Sequence, residues 1–177
     1  MTTKPTKSGL LSFSFWGRVL SRKSMRPVVR VMTNMHVRLY RWTGGRAQAP
    51  KYPTMLLTTA GRKTGKPRTV PLVYVEDKGR FIIAAAYAGS DQSPTWWLNL
   101  QHSKTGVVQV MRRKVRVRAE LARPEEREDL WRRLVAMYPY FTGYQERTTR
   151  QIPVIVLTPV NSSTSAQQSV TRQVTGM

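Results

Sequence analysis

Near its N-terminus the chain alternates apolar and polar positions at helical spacing, and from about residue 54 the period shortens to that of strands. Phe13, Phe15, Trp16, Val19 and Leu20 recur at helix-compatible intervals, interleaved with Arg18, Arg22 and Lys23, until Pro27 breaks or restarts the segment. A second run sets Val28, Val31, Met32, Met35, Leu39 and Trp42 in one stripe and Arg30, Asn34, Arg38 and Arg41 in another. That is a basic amphipathic helix, stopped by Gly44-Gly45. Such a stripe normally packs on a core. For residues 13–23, where Trp and Phe stand beside Arg and Lys with no acid nearby, a seat in the headgroup plane of a membrane is an equal expectation.

Strand signals follow over residues 54–59, 68–75 and 80–86, with Asp77-Lys78-Gly79 as the hairpin turn between the last two. Residues 89–94 read as a loop and 95–100 as a short helix. Residues 107–111 and 115–122 alternate as strands, with Val115, Val117 and Ala119 on one face, Arg116, Arg118 and Glu120 on the other, and Arg112-Arg113-Lys114 turning between them. Residues 124–138 form the clearest helix, with Pro124 in its first turn, four acids at its positive N-terminal end and Leu130, Trp131, Leu134, Val135 and Tyr138 as its apolar face. An aromatic loop, 137–144, and a last strand, 152–158, complete the pattern. Short strands joined by hairpins predict a mainly β, antiparallel barrel with peripheral helices. The expected divisions are a flexible basic N-terminus (1–12), amphipathic helices (13–45), the barrel (46–159) and a disordered polar tail (160–177).

Composition narrows the chemistry. The absence of Cys excludes disulfides, thiolate zinc sites and a thiol nucleophile, and two isolated His residues make a metal cluster an unsupported expectation. No window reaches the length of a membrane span and no signal-peptide pattern stands out, so the cytosolic side is expected. The chain carries 30 Lys+Arg against 9 Asp+Glu, a net charge of +21, and half of the basic residues precede the first acid, Glu76. This implies an anionic partner: nucleic acid, an anionic membrane or a polyanionic ligand. Binding of single-stranded nucleic acid would call for aromatics interleaved with the basic strand positions, and residues 112–118 carry none.

Three stretches offer chemistry. Arg62, Lys63, Lys66 and Arg68, with the main-chain N–H groups of a turn containing Gly61 and Gly65, can cradle a phosphate or carboxylate; a solvated basic hairpin is the plainer alternative. The adjacent Trp96 and Trp97 should send one indole inward and leave the other to cover a neighbouring surface or ligand. Tyr138, Tyr140, Phe141 and Tyr144 can wall a pocket for a flat apolar substrate and present phenols to it, or cap the core.

Taken in order, Leu56-Leu57-Thr58-Thr59-x-Gly61-Arg62-Lys63-Thr64-Gly65-x-Pro67-Arg68, Pro71-Leu72, Pro94-x-Trp96-x-Leu98-Asn99-Leu100, Met137-Tyr138-Pro139 and Ile152-Pro153-Val154 resemble the deazaflavin-dependent nitroreductase family over roughly residues 13–159. The resemblance implies a split β-barrel that uses reduced coenzyme F420 to reduce quinones and nitroaromatics. It assigns the coenzyme's anionic tail to Arg62, Lys63, Thr64, Gly65 and Arg68, and its ring to Ala84, Ala86, Tyr87, Pro94, Thr95 and Trp96. It assigns the acceptor wall to Tyr138, Phe141 and Tyr144, with Tyr138 or Tyr144 as catalytic proton donor. The chain departs from the family where Ala86 replaces an expected hydroxyl, Phe141 an expected phenol, and Val73 an aromatic. The resulting expectation is a peripheral enzyme at the inner face of the cell membrane, without specific nucleic acid, in a class of barrels that often form homodimers. A carrier of a flavin-like, haem-like or fatty-acyl ligand on the same barrel is the alternative.

Overall fold

The computed structural model describes residues 26–46 and 52–160, so the expectations for 1–25 and 161–177 lie outside the described residues. Helix α1 (Arg26–Trp42) leads into β1 (Thr54–Ala60), β2 (Pro67–Val73), β3 (Val75–Asp77) and β4 (Arg80–Ala84). A 3₁₀ turn (Tyr87–Gly89), α2 (Thr95–Ser103), β5 (Thr105–Val110), β6 (Arg113–Leu121), α3 (Pro124–Met137), α4 (Tyr140–Glu146) and β7 (Val154–Pro159) follow. All pairings are antiparallel, in the order β2-β1-β5-β6-β7-β4-β3. The single strand expected over 68–75 is therefore two, parted at Tyr74, and the two occupy opposite edges of the sheet. Because one residue joins them, the sheet has to curl until its edges meet there. The result is the antiparallel split barrel that the hairpins imply.

Both faces of the central strands are covered, which accounts for their unbroken apolar runs. Ile83, Ala85, Ile155 and Leu157 point into one core with Met55, Leu57, Trp96, Trp97 and Leu100, so α2 fills the barrel. The alternate residues Ile82, Ala84, Ala86, Val154 and Val156 meet Leu130, Leu134, Phe141 and Tyr144 of α3 and α4 on the outside. On β6 the expected alternation holds, with Val117 and Ala119 buried and Arg116, Arg118 and Glu120 exposed. The hairpin before it is tighter than its sequence implied: Met111-Arg112 alone makes the turn, with Met111 at φ +54°.

Helix α1 forms where expected, but its packing face differs. Val37 and Tyr40 dock on Leu56 of β1, and the Tyr40 hydroxyl donates to Thr54 O (3.1 Å) while accepting the Met111 N–H (3.0 Å). Just beyond the helix, Gly45 (φ +86°) lies so close that a Cβ there would sit 2.9 Å from Met111 Cα. Val31, Met35, Leu39 and Trp42, the stripe expected to pack, face solvent, with Trp42 84% exposed. A phenol with two main-chain partners holds the helix more specifically than the apolar stripe could.

Asp77 binds the β3–β4 hairpin to α3. It accepts from Arg80 (2.5 Å) and Arg133 (2.6 Å), and Arg80 also reaches Glu126 (3.1 Å). The hydrogen bonds from Arg80 and Arg133 hold the Asp77 carboxyl below its ordinary range. A carboxyl depressed in the folded state stabilises the fold above its unfolded value, and that stabilisation is lost as pH falls through the folded one. Asp77→Asn should therefore lower the urea midpoint at pH 7, and the gap from wild type should close as the pH is taken below about 4.

Candidate active site

The basic turn is folded on itself. Gly61 N–H closes on Lys66 O (3.0 Å), the N–H groups of Thr64 and Gly65 both donate to Gly61 O (3.0 and 2.7 Å), and Lys66 N–H meets Thr64 Oγ1 (3.4 Å). Arg62 N–H donates to Asn99 Oδ1 (3.1 Å). Four of the turn's main-chain donors are therefore engaged within it and a fifth by Asn99, while its basic side chains point outward. Arg62, Lys63, Lys66 and Arg68 are exposed, and no ion pair among the described residues engages them. Thr64 and Gly65 (φ +65°) shape the turn. Asn99 is 2% exposed and also donates Nδ2 to Thr59 Oγ1 (3.2 Å), which fixes the turn to α2 and so to Pro94, Thr95 and Trp96 at that helix's start. The indoles of Trp96 and Trp97 both lie in the core, contrary to the expected division between inside and surface.

Ala84 and Ala86 share the outer core with Tyr138, Phe141 and Tyr144, and the exposed Tyr87 opens the loop that follows. After β4 the chain passes through Tyr87 (φ +47°), Ala88 (φ +54°) and Gly89 (φ +80°), a left-handed run that side chains rarely adopt. Only glycine fits the last position: a Cβ on Gly89 would come 2.7 Å from Tyr144 O and 3.0 Å from Arg147 Cβ. The loop is thereby pressed onto α4, which the sequence had suggested was itself loop. Pro139 starts α4 by ending α3, and Phe141 and Tyr144, one turn apart, bury into the outer core. Arg150 clamps the loop from behind, donating Nη2 to the carbonyls of Ala85 (2.9 Å) and Ala86 (3.0 Å) and Nε to Ser90 O (2.9 Å).

Tyr138, at the end of α3, is the hub of the aromatic cluster. Its ring meets Tyr52 edge-on at 4.9 Å, Tyr140 and Phe141 at 5.1 Å each, and Tyr144 at 6.4 Å. Burial pushes the Tyr138 phenol well above its ordinary range, so the ring carries a neutral hydroxyl. Phe141 is 4% exposed and wedged among Trp131, Tyr138 and Tyr144, so it supports the wall from behind.

The described residues thus carry an exposed cationic turn and a phenolic wall on one barrel, linked through α2 and the 85–91 loop. The model of the F420H(2)-dependent quinone reductase family matches residues 30–159. The chain belongs to that family. An F420H(2)-dependent quinone reductase of Mycobacterium tuberculosis is 35% identical over 147 residues, spanning 78% of this chain and 97% of that protein. A solved F420-H2 dependent reductase superposes with a TM-score of 0.56 at 37% identity, over 59% of this chain and 93% of its own. Another solved relative, described as a domain-swapped dimer, gives 0.58 at 32% identity, over 74% and 98%.

Membership makes the chain an oxidoreductase with coenzyme F420 as its cofactor. The donor set fits that group: exposed side-chain cations for a polyanionic tail, and a loop set beside phenols for a flat ring. Sequence reasoning did not single out Asn99, Arg150 or Tyr52. Asn99 stood within a quoted motif but carried no charge to draw attention; Arg150 was one basic residue among many, and Tyr52 follows no period.

Asn99→Ala should free the Arg62 amide and destabilise the fold by about 1–3 kcal/mol, the usual effect of stranding buried hydrogen-bond partners. Denaturant melts read the loss, and amide exchange should quicken first at residues 61–66. Tyr138 contributes stability in full below the ordinary phenol range, and that contribution is lost as pH rises through its elevated folded value. Tyr138→Phe should therefore remove the highest-pH step from an ultraviolet phenolate titration.

Proposed function

We propose that this protein reduces quinones with F420H2 while seated on an anionic membrane at the inner face of the cell membrane. The observation that supports the reading is the contact of the Ala84–Gly89 segment with α4, in which Ala84 and Ala86 share one core with Phe141 and Tyr144. Arg62, Lys63 and Arg68 would neutralise the tail, with Thr64 and Gly65 holding the turn in shape. Ala84, Ala86, Tyr87, Pro94, Thr95 and Trp96 would shape the ring site. When bound, reduced F420 supplies a hydride, which with one proton converts a quinone to its hydroquinone. The Tyr138 hydroxyl would donate a hydrogen bond to the acceptor's oxygen, with the Tyr144 ring beside it at 6.4 Å. Nitroaromatics would use the same wall as secondary acceptors, and homodimer formation is likewise extended to this chain as a proposal.

What supports the membrane seat is α1. Val31, Met35, Leu39 and Trp42 form an exposed apolar strip on the side away from Val37 and Tyr40, and the exposed Arg38 and Arg41 lie beside it. No helix among the described residues is long and apolar enough to cross a membrane. An acceptor dissolved in lipid would be met at the interface.

Arg62→Ala with Lys63→Ala should raise the Kd for F420 about 10- to 100-fold while leaving the thermal melt near that of wild type. Fluorescence titration gives the comparison; unchanged affinity would remove the turn from the site. Leu39→Glu with Trp42→Glu should reduce sedimentation with phosphatidylserine vesicles and leave reduction of a short-chain, water-soluble quinone unchanged. Equal sedimentation would end the membrane reading.

A further inference from the structure

Arg150 does more than the sequence or the family match assigns to it. Its planar fork spans three carbonyls, of Ala85, Ala86 and Ser90, drawn from both ends of one loop. Arg150 is itself held, its carbonyl accepting Gln145 Nε2 (2.9 Å) and its N–H meeting Thr148 Oγ1 (3.4 Å). The same stretch adds two further ties, Thr148 Oγ1 to Asp91 Oδ1 (2.7 Å) and Arg147 Nη1 to Ala88 O (3.4 Å). Five contacts therefore run from residues 147–150 to residues 85–91. A lysine could not replace this arrangement, because an ammonium on a flexible stem cannot reach three carbonyls in fixed directions.

The clamp maintains a loop that is costly to hold. Tyr87 and Ala88 sit in left-handed conformations that side chains rarely adopt. Arg150 Nη1 is buried with no hydrogen-bond partner, and burial lowers the affinity of the guanidinium for its proton, against the pull of Asp91, the acid that faces it. The first cost falls on the segment that carries Ala86 and Tyr87, and the second on the residue that clamps it. Backbone held in a sparsely populated shape by its surroundings is the physical signature of preorganisation.

We propose that Arg150 is a positioning residue for the coenzyme: by fixing the carbonyls of Ala85, Ala86 and Ser90 it presets the Ala86–Gly89 segment in the shape that receives the deazaflavin ring, and so governs affinity without touching the ring. The proposal rests on the reading that Ala86 and Tyr87 border the coenzyme. Without the clamp the left-handed run relaxes, and binding has to restore it.

Arg150→Lys, which retains the charge, should weaken F420 binding about tenfold by fluorescence titration. Amide exchange should quicken across residues 85–91 in the free protein and return to the wild-type rate at saturating coenzyme. Asp77→Asn, which destabilises the fold at a distance from the loop, should leave the Kd unchanged and so separate positioning from general loss of stability. If Arg150→Lys does not fold, Thr148→Val loosens the same loop at Asp91 and should pair faster exchange with weaker binding. Tyr87→Ala tests the underlying reading, since unchanged affinity there removes the loop from the site and the proposal with it. Altered affinity in Tyr87→Ala beside wild-type affinity in Arg150→Lys, with the loop exchanging faster, would overturn the role of Arg150 alone.

Discussion

One connection governs this architecture: β2 and β3 lie at opposite edges of a seven-stranded sheet, yet only Tyr74 separates them in the chain. Two virtual Cα–Cα bonds span at most about 7.6 Å, so the edges have to meet, and the sheet has to curl to let them. Tyr74 is fixed at that point by its N–H to Pro53 O (3.2 Å) and by its ring against Phe81 (5.6 Å). Curling divides the apolar side chains between an inner core filled by α2 and an outer one covered by α3 and α4. Each of the two candidate regions then grows from a place where a helix meets the barrel.

Those regions are stabilised differently. The turn after β1 is relaxed, most of its amides engaged within it or by Asn99 and its cations left in water, as suits a surface that attracts charge over distance. The loop after β4 is strained, with its carbonyls drawn toward a half-buried guanidinium and its backbone forced against α4. A relaxed cationic turn and a strained loop thus lie in different parts of the chain, which lets either change without undoing the other.

Much of the barrel was legible because β-period alternation and hairpin turns are local signals. The helix over Pro124–Met137 and the hairpin at Lys78-Gly79 were readable for the same reason. The break at Tyr74 was not, because nothing in a run of β-prone residues records which partner each half will take. Helix α4 was hidden by Pro139, Gly143 and its density of aromatics, all poor helix formers, whose helicity comes from burying Phe141 and Tyr144. The orientation of α1 was missed because the apolar stripe is the stronger pattern, whereas Tyr40 is a single residue whose hydroxyl finds two partners. In the candidate site, charge marked the residues facing outward, and aromatic content marked a cluster that is largely buried. The residues that set them in place, Asn99 and Arg150, act through uncharged carbonyls and amides, which composition does not reveal.

Asn99 stands three residues after Trp96, about 4.5 Å along the axis of α2. It grips the basic turn by the main chain, so the spacing between the cations and the start of α2 is set by a rigid helical segment. The barrel thereby acts as a caliper. If, as proposed, a ligand is anchored at Arg62 and Lys63, that spacing would select among molecules carrying the same charged group by the reach of what is attached to it.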